Sequence, residues 1–177
     1  DNPKKMIDYG IVYVPEDRET EGLIPDLSVL RNMSLPSLLD NSDWGVVNNN
    51  KELNLYEQYK EQFQIKCSSP FLNVSSLSGG NRQKVVLSKW LASNPKVIIL
   101  DEPTHGIDVG SKAQVHQVMK DLACRGIGIL MISSDLPEIL RMSDRIVVIS
   151  NGMLVKTLKN ENITQEEIML YATQSME

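Results

Sequence analysis

The sequence has little of what would place it in several common classes. Only two cysteines occur in 177 residues, Cys67 and Cys124, in no metal-ligand spacing. That excludes a disulfide scaffold or a zinc ribbon, and both read as ordinary core or surface thiols of a reducing compartment. Basic excess is missing too. The net charge is −5 with lysines and arginines scattered, which argues against nucleic acid as a partner, since displacing counterions from phosphates needs a basic stripe. The longest apolar runs, such as residues 127–132, fall far short of the about 20 residues that cross a bilayer, and no signal-peptide pattern is read at the start. Internal repeats, low-complexity tracts and long heptads are lacking. None of the ten glycines is followed by lysine, so the phosphate-cradling loop G-x-x-x-x-G-K-[ST] is not written in these residues.

What is present suits a compact α/β fold with a real core: 41% of residues are hydrophobic and 23% charged. Asn2, Pro3 and Gly10 read as the cap, first residue and left-handed stop of a short helix, a finished start that suggests a piece of something longer. "IVYV" (11–14) is a strand candidate, followed by Pro15 and a charged loop. Residues 27–33 suit a short helix, and the turn-rich stretch that follows suits a surface excursion. From 51 to 63 the pattern is helical, with Leu55, Tyr59 and Phe63 on one face and Tyr56 beside them.

The second half alternates. "KVIIL" (96–100), "IGILMI" (127–132) and "RIVVI" (145–149) are nearly unbroken β-branched runs, as expected of strands covered on both faces. Between the first two, Val115, Val118, Met119 and Leu122 make an amphipathic helix on which His116 is expected to be exposed. Asp135 caps a short helix before the third run, and strand–helix–strand–helix–strand implies a parallel sheet with right-handed crossovers. "NGMLVKTL" adds a turn and a final strand, and Thr164, with Glu167 at the capping-box position, starts a closing helix. Four segments result: residues 1–26 in the core, 27–93 as a mostly helical subdomain, 94–150 in the core again, and 151–177 as a terminal strand and helix.

Two motifs carry chemistry. In "VIILDEPTHGID" an apolar strand delivers Asp101 and Glu102 to the carboxyl edge of a parallel sheet, where open α/β folds bind ligands. Adjacent strand residues diverge, but Pro103 and the turn after it can re-aim Glu102. One carboxylate could then hold Mg²⁺ while the other orients or deprotonates a water. In "LSGGNRQK" (77–84), Ser78 and two glycines precede a helix whose first amides lack intrahelical partners. Two glycines let a phosphate approach that backbone, and Ser78 adds a hydroxyl. On the helix behind, Val86, Trp90, Leu87 and Leu91 form the expected buried face, with Arg82, Lys84 and Lys89 on a solvated one.

Together, "LSGGN" and "LDEPTHGID" resemble the ATP-binding subunits of ABC transporters in order and spacing. The longer wording, "YVPEDRETEGL" and "ISSDLPEIL" included, is similar to the bacterial ribose- and galactose-type sugar importers whose ATPase chain fuses two nucleotide-binding domains. It fits the later part of their second domain. The resemblance implies a P-loop NTPase fold with a parallel sheet and helical subdomain. It implies ATP and Mg²⁺ as cofactors, and a head-to-tail partner domain whose P-loop faces this chain's signature motif. It also implies a membrane permease, a periplasmic or extracellular solute-binding protein, and a place on the cytoplasmic face of the bacterial plasma membrane.

By the same resemblance, Asp101 would act on the metal, Glu102 would be the catalytic base, and Ser78, Gly79, Gly80 and Asn81 would form the signature. Asp108 would communicate across the dimer. Glu16 stands where the family usually has glutamine, and Ser134 where it has a histidine. Serine can donate one hydrogen bond to a phosphate but cannot carry an imidazole's charge. A partner domain that supplies the signature without hydrolysing ATP is therefore the alternative, and the 177 residues alone are expected to be inactive. His105 is assigned no catalytic role.

Overall fold

The computed structural model describes residues 2–173 and divides into two compact units, Asp1–Ile132 and Ser133–Glu177. In the first unit, α1 (Pro3–Asp8) opens under the Asn2 side chain, which accepts the Lys4 N–H, and ends at Gly10 with φ +81°. Strand β1 (Ile11–Val14) follows, then a π-helical turn, Arg18–Gly22, where only a charged loop is expected. Next come α2 (Val29–Ser34), a hairpin of β2 (Ser42–Asp43) and β3 (Val46–Val47), and α3 (Asn49–Gln62). Then α4 (Gly79–Leu91), β4 (Val97–Asp101), α5 (Val109–Cys124) and β5 (Gly128–Ile132) complete the unit.

β1, β4 and β5 form a parallel sheet in that order, with Tyr13 opposite Ile99 and Leu100 opposite Met131. Right-handed crossovers that always step in one direction put α4 and α5 on the same face. Val12, Val14, Ile98 and Leu100 are accordingly buried, while Tyr13, Leu130 and Ile132 on the other face are exposed. The expectation of strands covered on both faces is thus met on one side only among the described residues.

In the second unit, α6 (Leu136–Met142) starts at Asp135, whose carboxylate accepts the Glu138 N–H. β6 (Arg145–Ser150) pairs antiparallel with β7 (Met153–Lys159) through the turn residues Asn151 and Gly152, both at positive φ. α7 (Gln165–Thr173) begins beside Thr164, which accepts the Glu167 N–H, and Ile168 packs with Ile146 and Val148. This corrects one expectation. The run 145–149 is a strand whose partner is β7, antiparallel, and it is not among the three strands of the parallel sheet. The two-residue turn between them has the positive φ values that match the twist of such a hairpin.

Three further residues depart from their expected exposure. Lys84 and Lys89 are 3% and 7% exposed, not solvated, and His116 is 6% exposed. The lysine stems lie along apolar surface while their ammonium groups reach the carbonyls of Gln64 and Gly22, at 3.2 and 2.9 Å. Burial pushes both lysine pKa values down. Those carbonyls come from segments far along the chain, so the helix pattern alone could not reveal them. In the same way α3 turns Glu52 fully inward, where Arg31 and the Ser34 hydroxyl bind it at 2.5 and 2.6 Å.

Candidate functional site

Asp101 ends β4, and the tyrosine two registers back on the neighbouring strand reaches it. Because Tyr13 faces Ile99 in register and side chains repeat every second residue, Tyr13 and Asp101 share a face. The Tyr13 hydroxyl donates to Asp101 Oδ2 at 2.7 Å. That hydrogen bond, with lesser help from burial, pushes the Tyr13 pKa up to about 12, so the phenol stays a donor throughout the physiological range. Nothing in the sequence singles out Tyr13, which reads simply as a β-former.

Glu102 is reoriented at its own backbone rather than only by the turn after Pro103. Its φ is +43°, a left-handed conformation that costs a residue with a side chain about 1–3 kcal/mol. The neighbourhood holds it there. Its N–H donates to the Ile132 carbonyl at 2.9 Å, and its carbonyl accepts from the His105 N–H at 3.0 Å. The left-handed step breaks strand alternation, so Glu102 is not obliged to point opposite to Asp101.

At the start of α4, Ser78 adopts cap geometry without a side-chain cap bond. The helical ladder begins with the Arg82 N–H on the Ser78 carbonyl, leaving the amides of Gly79, Gly80 and Asn81 without intrahelical partners. Asn81 acts as a strut. Its Nδ2 donates to Ser78 Oγ at 2.8 Å and its Oδ1 accepts from the Lys66 N–H at 2.8 Å. Ser78 Oγ is thereby an acceptor for Asn81, and its own proton can serve another group.

The two glycines have different reasons. A Cβ on Gly79 would stand 3.3 Å from Arg18 Nη2 and 3.7 Å from the Gly106 carbonyl. A Cβ on Gly80 would lie 2.2 Å from Ser111 Oγ and 2.7 Å from Ser111 Cβ. The sequence reading assigns both absent side chains to an approaching phosphate; in the structure the close approach that Gly80 allows is to the first turn of α5.

That turn is itself pinned. Asp108 caps α5, accepting the Ser111 N–H at 2.9 Å on one oxygen and the Ser111 hydroxyl at 2.7 Å on the other. These bonds, the hydroxyl's first, hold Asp108 below the usual carboxylate range. Glu16 is exposed and meets His105, whose Nδ1 lies 3.4 Å from Glu16 Oε1, a pairing that sequence reasoning missed. Arg18 joins the same loop, donating to the His105 and Gly106 carbonyls at 2.9 and 3.4 Å. Ser134 belongs to the second unit, exposed on the residue before the cap of α6. The first unit therefore gathers Asp101 with Glu102, the 78–81 amides with Asp108's helix, and Glu16 with the 105–106 loop. No cluster of three or more metal-binding side chains occurs among the described residues.

Comparison with known proteins bears on the family and the fold. The profile of the ABC transporter family matches residues 2–105. The chain is 46% identical over 172 residues to a ribose import ATP-binding protein of Geobacillus kaustophilus, covering 97% of this chain and 35% of the relative. It is 44% identical over 171 residues to a xylose import ATP-binding protein of the same organism, covering 97% and 34%. It thus spans about a third of the length of these relatives. Among solved structures, a dimeric bacterial ABC transporter cassette superposes with a TM-score of 0.73 at 24% identity, covering 90% of this chain and 67% of the other. A nucleotide-free ATP-binding cassette gives 0.75 at 22%, covering 98% and 69%.

Proposed function

Because this chain belongs to the ABC transporter family, we propose that it is part of an ATP-hydrolysing subunit that powers import of a sugar. The relatives named for ribose and xylose support a pentose as solute. The observation that carries the reading is the contact of Gly80 with Ser111. It sets the unpaired amides at the start of α4 beside the loop that runs from Glu102 to Asp108.

Asp101 offers oxygen to a hard cation at the carboxyl end of a parallel strand. Mg²⁺ is held by one or two carboxylates with water and substrate phosphates, so the small acidic set here fits it. When bound, it would neutralise charge developing on the transferred phosphoryl group. Tyr13 holds Asp101 in place, Glu102 takes the proton of the attacking water, and Ser78 with the amides of 79–81 completes a phosphate site whose main grip lies on another lobe or another molecule. Glu16, in the first unit, would meet a terminal phosphate from the loop after β1; Ser134, in the second, is proposed by the family resemblance alone as a phosphate hydrogen-bond donor. Their identities also favour the second reading, in which this domain supplies signature and coupling surface while a partner domain hydrolyses ATP. No helix among the described residues is long and apolar enough to cross a membrane. The proposed place is the cytoplasmic face, against permease subunits served by a solute-binding protein.

Two measurements bear on this. In proteoliposomes holding the complete transporter, binding protein loaded with ribose or xylose should raise ATP hydrolysis and drive uptake; hydrolysis indifferent to every sugar offered would sink the proposal. Tyr13→Phe should raise the Mg²⁺ concentration for half-maximal hydrolysis about tenfold, as loss of a partner behind a metal-binding carboxylate does. An unchanged Mg²⁺ requirement would remove Tyr13 from the site.

A further inference from the structure

The segment after β1 is built as a clasp. Asp17 accepts the N–H groups of Glu19 and Thr20 and the Thr20 hydroxyl, which winds the turn Arg18–Gly22. These bonds hold the Asp17 carboxyl below its ordinary range. The turn is fastened to α4 at two points: Glu19 pairs with Arg82 at 2.7 Å, and at its far end the Gly22 carbonyl accepts from Lys89 at 2.9 Å. A Cβ on Gly22 would stand 3.3 Å from Val86, so this turn also lies close against the helix.

The near end carries Arg18, and three pieces of the proposed site converge on it. Its terminal nitrogens donate to two consecutive carbonyls, His105 and Gly106, in the loop between Glu102 and Asp108. Its Nη2 is the nearest heavy atom to the space a side chain on Gly79 would fill, and to that on Gly106, at 3.3 and 3.5 Å. Two residues before it stands Glu16. The guanidinium is partly buried, its Nε has no hydrogen-bond partner among the described residues, and burial with the nearby Arg82 pushes its pKa down. The neighbouring carboxylates are engaged elsewhere, Asp17 in the cap and Glu19 with Arg82. With main-chain carbonyls as its hydrogen-bond acceptors, the shape of the guanidinium matters at this position. A planar fork spans two adjacent carbonyls; an ammonium is a point charge that does not.

We infer that Arg18 is a positioning residue: it locks the Glu16 segment, the Glu102–Asp108 loop and the first residue of α4 into one body, so that a displacement of the π-helical turn reaches the Glu102 loop and the 79–81 amides at once, and with them the two ATP sites that a head-to-tail pair of domains would share between them. The inference rests on the ATPase reading above. It makes the turn a lever, with Arg82 and Lys89 holding its arm to α4 and Arg18 at the point where motion is passed on.

The test is Arg18→Lys in the complete transporter, with Arg18→Gln as a second variant. Thermal midpoint, KM and kcat for ATP, and stimulation by loaded binding protein are measured, together with amide hydrogen exchange. The expected result is a midpoint and KM close to wild type, kcat lowered about tenfold or more as misplacement of reacting groups does, and weaker stimulation. Exchange should quicken at both 79–81 and 103–108. Unchanged kcat and stimulation in both variants would overturn the role of Arg18. So would faster exchange confined to 18–22, or kcat, KM and midpoint falling together. If the unmutated transporter itself hydrolyses no ATP, it is the proposed function that fails instead.

Discussion

Glu102→Gln is expected to lower single-turnover ATP hydrolysis in the complete transporter by about 10²–10⁴, the usual worth of a positioned general base. ATP binding should be nearly unchanged. The amide keeps the size and hydrogen-bonding reach of the carboxylate but cannot take a proton at neutral pH. The fold should tolerate it, because the main chain of residue 102 is held by bonds of its own: the N–H on Ile132 and the carbonyl on His105. Those bonds do not depend on the side chain. The left-handed conformation at this residue, stabilised from both sides, is the kind of backbone strain that clusters at functional sites. Hydrolysis and uptake at wild-type rates in Glu102→Gln would defeat the catalytic assignment and favour the reading in which a partner domain does the chemistry.

The second large effect is expected at Gly80. In an open helix, replacing glycine by alanine gains about 1 kcal/mol. Here the new Cβ would fall 2.7 Å from Ser111 Cβ, an atom fixed to the backbone of α5, so no rotamer change relieves it. Overpacking of this kind costs typically 1–3 kcal/mol, and the clash should therefore outweigh the propensity gain. Gly80→Ala is expected to lower the melting midpoint on the order of 5 °C and to remove most ATP hydrolysis, because α4's free amides and Asp108's helix can no longer keep their spacing. The sign should reverse in a Ser111→Gly background. There the added methyl meets nothing nearer than Asp108 Oδ2 at 3.9 Å, an ordinary contact, while the main-chain bond of residue 111 to Asp108 survives, so the same substitution should be neutral or stabilising. A double-mutant cycle read by calorimetry decides it. Equal costs in both backgrounds would show that Gly80 is not required by this contact.

Much of the fold is legible because its rules act over a few residues. The Asn2 cap, the left-handed Gly10, the cap at Asp135 and the turn before β7 are readable, each set by interactions within about four positions; the strand at 11–14 reads from its β-branched run, although its partner lies far along the chain. The parallel pairing of β4 with β5 follows from the helix between them. The run 145–149 pairs antiparallel with β7, which its own residues do not reveal, since an apolar strand reads alike beside a parallel or an antiparallel partner; Asn151-Gly152 is the local signal for the hairpin. Lys84, Lys89 and His116 were misjudged for a related reason. A charged or titratable residue on a helix is solvated by default, and only a segment folding over that face can bury it with its polar end satisfied.

What the sequence alone determined is the chemistry available: a carboxylate pair at a strand end, a glycine-rich helix start, and a wording specific enough to identify the family. Those are properties of contiguous residues. Tertiary structure alone decided which distant groups stand beside those residues. Tyr13 reaches Asp101 across 88 positions and Arg18 reaches His105 across 87, while Gly80 yields its space to Ser111. The physical reason is that hydrogen bonding and close packing act over a few ångströms in space, and only strand register and the crossing of α4 with α5 bring such residues within that range.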